Sequence, residues 1–148
     1  MAARVLIPLL LTFVCSFTAF AAAEGQVEVW RSASCSCCIK WVRHLEENGF
    51  AVKVNDASTS ALDGLKAKFG IGEKLASCHT AKIGPYVVEG HVPAADVKRL
   101  LAERPDAIGL AVPDMPIGSP GMEQGSKSEP YDVLLIKKDG STKVFASH

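Results

Sequence analysis

Ser34-Cys35-Ser36-Cys37-Cys38-Ile39 gathers three of the chain's five cysteines within four positions, where a strand pattern gives way to a helix pattern. Before it, Gln26-Val27-Glu28-Val29-Trp30 alternates polar and apolar residues, as a half-buried strand does. After it, Ile39, Val42 and Leu45 recur at helical spacing, Trp41 widens the apolar stripe, and Asn48-Gly49 is a stop signal. Ser34 is the expected N-cap. The free N–H groups and dipole of a helix start stabilise negative charge, so thiols placed there lose protons more readily than a free cysteine. Thiolates attack disulfides and bind soft metals.

Upstream, Met1–Ala23 reads as a secretory signal: Arg4 is the basic n-region, Val5–Phe20 is almost wholly apolar, and Ala21-Ala22-Ala23 is a small-residue cleavage site. The apolar run is shorter than the roughly 20 residues of a membrane span and is interrupted by Thr12, Cys15, Ser16 and Thr18. Val14 is too bulky for a lipoprotein processing site, so Cys15 is expected to leave with the signal. Cleavage after Ala23 leaves residues 24–148 as an exported single domain. With Arg4 removed from sixteen basic and sixteen acidic residues, the mature chain carries one net negative charge. It has no basic run, aromatic ladder or Gly-rich phosphate loop, which gives no footing for nucleic acid or nucleotide. Cys35, Cys37, Cys38 and Cys78 remain. An even number of cysteines in an exported chain is ordinarily a disulfide framework. Adjacent Cys37 and Cys38 do not readily pair, however, and three thiols at one helix start staple little.

Downstream, Phe50–Val54 alternates as a second strand and Asp56–Ser60 is turn-like. Ala61, Leu62, Leu65 and Phe69 make a second helix closed by Gly70, and Ile71–Ser77 is a short turn or half-helix leading to Cys78-His79-Thr80. Lys82–Val88 reads as a strand with a Glu89-Gly90 turn, followed by His91-Val92. A helix opens at Pro93, buries Val97, Leu100 and Leu101, and ends before Pro105. From there Pro113, Pro116, Pro120, Gly118, Gly121 and Gly125 punctuate a long irregular segment carrying Met115 and Met122. Tyr131–Ile136 and Thr142–Phe145, joined through Lys137-Lys138-Asp139-Gly140, form a hairpin that extends the sheet and anchors that loop.

This β-α-β-α-β-β-α order, with a C-x-x-C at the first strand-to-helix turn, resembles the thioredoxin fold with a C-terminal Pro/Gly/Met loop and β-hairpin extension. That resemblance implies that the loop entering the third strand, carrying Cys78-His79, lies beside the cysteine motif. The motif departs from thioredoxin in its extra cysteine, and no proline precedes the third strand where thioredoxins place a cis one. A more specific likeness spans Val27 to Phe145. The C-x-C-C motif, Cys78-His79-Thr80-Ala81, Glu89-Gly90-His91-Val92-Pro93-Ala94, Pro113-Asp114-Met115-Pro116 and Gly118-Ser119-Pro120-Gly121-Met122-Glu123 resemble the CopG-like family of exported metal-binding proteins. That family is associated with bacterial copper resistance and has a thioredoxin-like core, which implies a periplasmic copper protein.

The residues support the same class of cargo. Thiolates favour Cu(I), zinc or iron-sulfur clusters over hard cations. Zinc sites commonly draw on two C-x-x-C pairs, and this chain has one pair, an intervening cysteine and a distant one. An iron-sulfur cluster matches the cysteine count but suits an exported apoprotein poorly. Four thiolates around one Cu(I) leave about three uncompensated negative charges, which is costly in a partly buried site. Thiolates bridging several Cu(I), up to about four, cancel that charge, so a polynuclear Cu(I) site on Cys35, Cys37, Cys38 and Cys78 is expected.

Around it, His79 is read as either a ligand or a hydrogen-bonding loop residue, and Met115 and Met122 as thioether donors or packing under the loop. His91 is expected to be structural, His44 to lie on the surface, and His148 to be a mobile terminus. Two functions follow. One is a copper-resistance protein that holds Cu(I), or passes metal or electrons to other exported copper-resistance proteins or a redox partner. The other is a thiol-disulfide oxidoreductase in which Cys35 attacks, Cys38 resolves, and Cys37 and Cys78 form a second redox pair.

Overall fold

The computed structural model describes residues 25–148, so the stretch read as a secretory signal, with its expected cleavage site, lies outside the described residues. The elements in chain order are β1 (Val27–Arg31), α1 (Ser36–Glu47), β2 (Val52–Asp56), α2 (Thr59–Lys68), a 3-10 turn (Glu73–Leu75), β3 (His79–Ile83), β4 (Tyr86–Glu89), α3 (Ala94–Glu103), β5 (Ala107–Ala111), β6 (Asp132–Lys137) and β7 (Thr142–Ser147). They build one seven-stranded sheet in the order β2-β1-β3-β4-β5-β6-β7. The parallel β1–β2 pair joined by α1, and antiparallel β3 and β4 beside it, form the thioredoxin-like part; β5, β6 and β7 extend it.

Strand periodicity sends alternate residues to opposite faces of the sheet. Val27, Val29, Ala81, Ile83, Val88, Leu110, Val133 and Leu135 share a core with Trp41, Val42 and Leu45 of α1 and Ala94, Val97 and Leu100 of α3. On the other face Val87, Ala111 and Ile136 pack with Ile71, Phe69 and Leu75 around the end of α2. Trp41 is the largest fully buried side chain, and its indole N–H donates to the Val92 carbonyl at 2.8 Å. That bond ties α1 to the segment entering α3.

Several boundaries depart from the sequence reading. The N-cap of α1 is Cys35 instead of Ser34, its Sγ accepting from the Cys38 amide at 3.3 Å. α2 begins at Thr59, inside the stretch read as a turn, with Ser58 as its cap. The stretch read as one strand from Lys82 to Val88 is two, His79–Ile83 and Tyr86–Glu89, folded back at Gly84-Pro85. Gly84 takes a left-handed φ of 53°, and apolar alternation across a tight turn mimics one continuous strand. Ala107–Ala111 forms β5 within the segment read as irregular. Its alanines and glycine have little intrinsic strand preference, and ladders on both sides, to β4 and β6, supply what they lack.

Two histidines are more engaged than expected. His44 Nε2 accepts the Ala94 amide at 3.0 Å and so caps α3, where Pro93 has no side-chain acceptor to offer. His148 pairs with Asp96 at 2.8 Å, stacks on Tyr131, and exchanges backbone hydrogen bonds with it. Replacing Trp41 with alanine empties the middle of the core and orphans the Val92 carbonyl, so Trp41→Ala is expected to lower the unfolding free energy in urea by about 3–5 kcal/mol.

Candidate metal centre

α1 starts directly beyond the end of β1, and β3 runs antiparallel beside β1 with Arg31 opposite His79. The exit of one strand and the entry of its neighbour therefore meet at one end of the sheet's central strands. Cys35, Cys37 and Cys38 come from the first, Cys78 from the second, and their sulfurs form one group. Cys35 and Cys38 are joined as a disulfide. Cys37 and Cys78 are free thiols, both half-buried. Cys37 Sγ lies 3.4 Å from Cys35 Sγ and 3.8 Å from Cys78 Sγ, which makes it the sulfur between the other two.

Cys78 also belongs to a second group, with His79 and His91. Its Sγ is 3.1 Å from His91 Nε2 and 3.3 Å from His79 Nδ1. His91 Nδ1 is 2.8 Å from the Pro120 carbonyl oxygen, which can only accept. The His91 proton therefore sits on Nδ1, and Nε2 turns its lone pair toward Cys78. Burial lowers the His91 pKa and keeps the ring neutral. His79 is wholly enclosed, between the Trp41 and His91 rings. Burial, followed by the neighbouring His91 and Lys66, holds its pKa well below the ordinary value. A thiol has one proton to donate, and His91 Nε2 takes it, so His79 Nδ1–H donates to the sulfur. His79 Nε2 is then a buried nitrogen without a partner.

The His91 placement corrects the reading of that residue as merely structural. The β3–β4 ladder ends with Thr80 opposite Glu89; beyond it the Gly90 amide donates to the His79 carbonyl at 3.0 Å and Gly90 takes a left-handed φ of 71°, which breaks the strand's alternation and brings His91 beside Cys78 and His79.

The Pro/Gly/Met segment closes the site from one side. Pro120 orients His91, and Gly121 lies so close to α1 that a Cβ would meet the Cys37 carbonyl oxygen at 2.7 Å and the Trp41 nitrogen at 2.9 Å. Its φ of 90° favours glycine as well. Met122 is half-buried in the next position. Met115, at 48 % exposure, instead lines a surface cavity of about 420 Å³ with Asp114, Pro116 and Tyr131.

Soft sulfur together with neutral imidazole nitrogen is a donor set for a thiophilic cation, and the residues here fit that chemistry. Among known proteins, a family described as a protein of unknown function, DUF411, matches residues 75–122. Two solved structures, both of Copper resistance protein copG, are 42 % identical to this chain. Form 1 aligns over 84 % of this chain and 98 % of its own with a TM-score of 0.78, and form 2 over 83 % and 97 % with a TM-score of 0.77. The chain belongs to the CopG family. No curated protein sequence matches it. The DUF411 match covers the Cys78-His79 strand and the closing loop together.

Burial and the adjacent Cys37 push the Cys78 thiol up to about 12, far from the activated thiolate that a helix start would favour. Cys78 is therefore expected to react with iodoacetamide at pH 8 about fiftyfold slower than free cysteine, its scarce thiolate partly offset by higher nucleophilicity. Peptide mapping should show the rate still climbing above pH 10. Gly121→Ala is expected to cost about 1–3 kcal/mol of stability. It should also shift the His91 imidazole resonances as Pro120 moves away.

Proposed function

We propose that this chain is an exported copper-resistance protein, acting in the periplasm as the single domain 24–148. In this reading Cys35, Cys37, Cys38 and Cys78 hold several Cu(I) ions, up to about four, as bridging thiolates. The observation that carries the reading is Cys37 lying 3.4 Å and 3.8 Å from sulfurs of two separate elements, a spacing that one bridging ion per sulfur pair can span. The family's solved members are named for copper resistance, which supports copper as the cargo. His91 Nε2 adds a nitrogen donor from the Cys78 side, His79 would add one only with its proton moved from Nδ1 to Nε2, and Met122 follows the loop residue packed on α1. Met115, facing another cavity, is better suited to receiving or passing on the ion.

The Cys35–Cys38 disulfide favours a second, compatible reading, thiol-disulfide exchange. Reducing that bond takes two electrons and two protons and returns two of the four sulfurs to the metal site, so the redox state of the pair sets how much Cu(I) the chain holds.

Anaerobic titration of the reduced protein with Cu(I), following thiolate-to-copper charge-transfer absorption, tests the first reading. Saturation above two ions per chain is expected, with all four thiols protected from alkylation. Saturation at one ion or fewer refutes a polynuclear site. Cys37→Ser and Cys78→Ser should each lose most of the bound copper while leaving the Cys35–Cys38 couple able to cycle; unchanged copper binding in both would shift the assignment to disulfide exchange.

A further inference from the structure

Behind the thiol site, on the opposite face of the sheet, lies a buried ion pair that contributes no sulfur or imidazole. Glu89 is fully buried and the Lys66 side chain is 9 % exposed, with Nζ to Oε1 at 2.5 Å. Lys66 Nζ also donates to Thr80 Oγ1 at 2.8 Å, and that hydroxyl donates to Glu89 Oε2 at 2.7 Å. A third donor reaches the carboxylate from the loop itself: the Ser77 amide, at 2.7 Å from Oε1. Burial raises the Glu89 pKa, and the Lys66 ammonium, the Thr80 hydroxyl and the Ser77 amide oppose that rise.

Ser77 immediately precedes Cys78. The same loop is held on its far side, where Ser77 Oγ donates to the Asp114 carbonyl at 2.5 Å and the Asp114 amide reaches the Ala76 carbonyl at 3.4 Å. The peptide leading into Cys78 is thus gripped from the sheet interior and from the closing loop. A buried ion pair is seldom more stable than well-packed apolar residues of equal volume, so stability alone gives no reason for one here.

We infer that Glu89 is a positioning residue for the thiol site. Lys66 neutralises the buried carboxylate, the Thr80 hydroxyl orients it, and its Oε1 fixes the Ser77 amide. Cys78 Sγ is thereby kept facing both Cys37 Sγ and His91 Nε2. The copper readout of this inference rests on the thiolate reading above; the accessibility of Cys78 does not.

Three variants test it. K66M/E89Q removes both charges but leaves a side-chain amide oxygen to accept the Ser77 amide; K66M/E89M is equally neutral and removes the acceptor; Leu135→Ala weakens the core in β6, remote from the site. Cu(I) affinity is measured anaerobically against a chromogenic chelator, Cys78 labelling by N-ethylmaleimide with peptide mapping, and Tm by circular dichroism. K66M/E89Q should stay within about twofold of the native protein in both site readouts. K66M/E89M should bind Cu(I) about tenfold more weakly, the size of one lost hydrogen bond, and label about fivefold faster at Cys78. Leu135→Ala should lower Tm and leave both unchanged.

Native-like behaviour of K66M/E89M overturns the inference. So does K66M/E89Q falling with it, or Leu135→Ala reproducing its changes. Should K66M/E89M fail to fold, Thr80→Val, which removes one donor to the carboxylate, must weaken Cu(I) binding about threefold, and no change overturns the inference. If the native protein takes up no Cu(I), the metal reading falls, and the labelling comparison alone decides the positioning role.

Discussion

The antiparallel ladder between β1 and β3, ending with Arg31 opposite His79, is the contact on which the site depends. Antiparallel neighbours bring the end of one strand to the beginning of the other. Here a cysteine-rich helix start follows β1 and a lone cysteine precedes β3, so four sulfurs meet without a long connecting loop. Just past the next ladder, β3 with β4, the left-handed turn at Gly90 brings His91 against the same sulfur. Strand pairing and that turn together decide which donor atoms converge.

Burial then sets the chemistry of those atoms. The sulfur of Cys78 sits among two imidazoles, another thiol and the end of the sheet's central strands, and desolvation favours its neutral form. The same desolvation keeps His79 and His91 neutral, and the His91 Nε2 lone pair faces the sulfur at neutral pH. Such a set suits a soft cation, which can replace thiol protons and accept lone pairs better than water does. The Pro120 carbonyl matters because it settles which His91 nitrogen carries the proton. The disulfide between Cys35 and Cys38 withholds two of the sulfurs, so holding metal and forming disulfides draw on the same atoms.

Much of this is legible in the chain alone. The cysteine motif at a strand-to-helix junction, the helix stops at Asn48-Gly49 and Gly70, and the terminal hairpin all follow from local rules, because capping, turn chemistry and periodicity act over a few residues. The misplaced elements failed for non-local reasons. β5 is made of residues with weak strand preference and exists because β4 and β6 flank it. His44 and His148 looked superficial, yet one caps α3 across fifty residues of sequence and the other docks on Asp96 and Tyr131. The Gly84-Pro85 turn is a local signal, and reading through it merges β3 and β4 into one strand.

The sequence by itself determined the composition of the site: which sulfurs exist, that three of them begin a helix, and that such sulfurs suit soft-metal or redox chemistry. Those are properties of residue type and short spacing, which a one-dimensional chain carries in full. Only the tertiary structure decided the donor geometry, the His91 tautomer and the buried Lys66–Glu89 pair beneath the Ser77 amide. Each of these joins residues from different elements. Their distances are set by sheet register and by the burial that the complete core imposes, neither of which a local stretch of sequence contains.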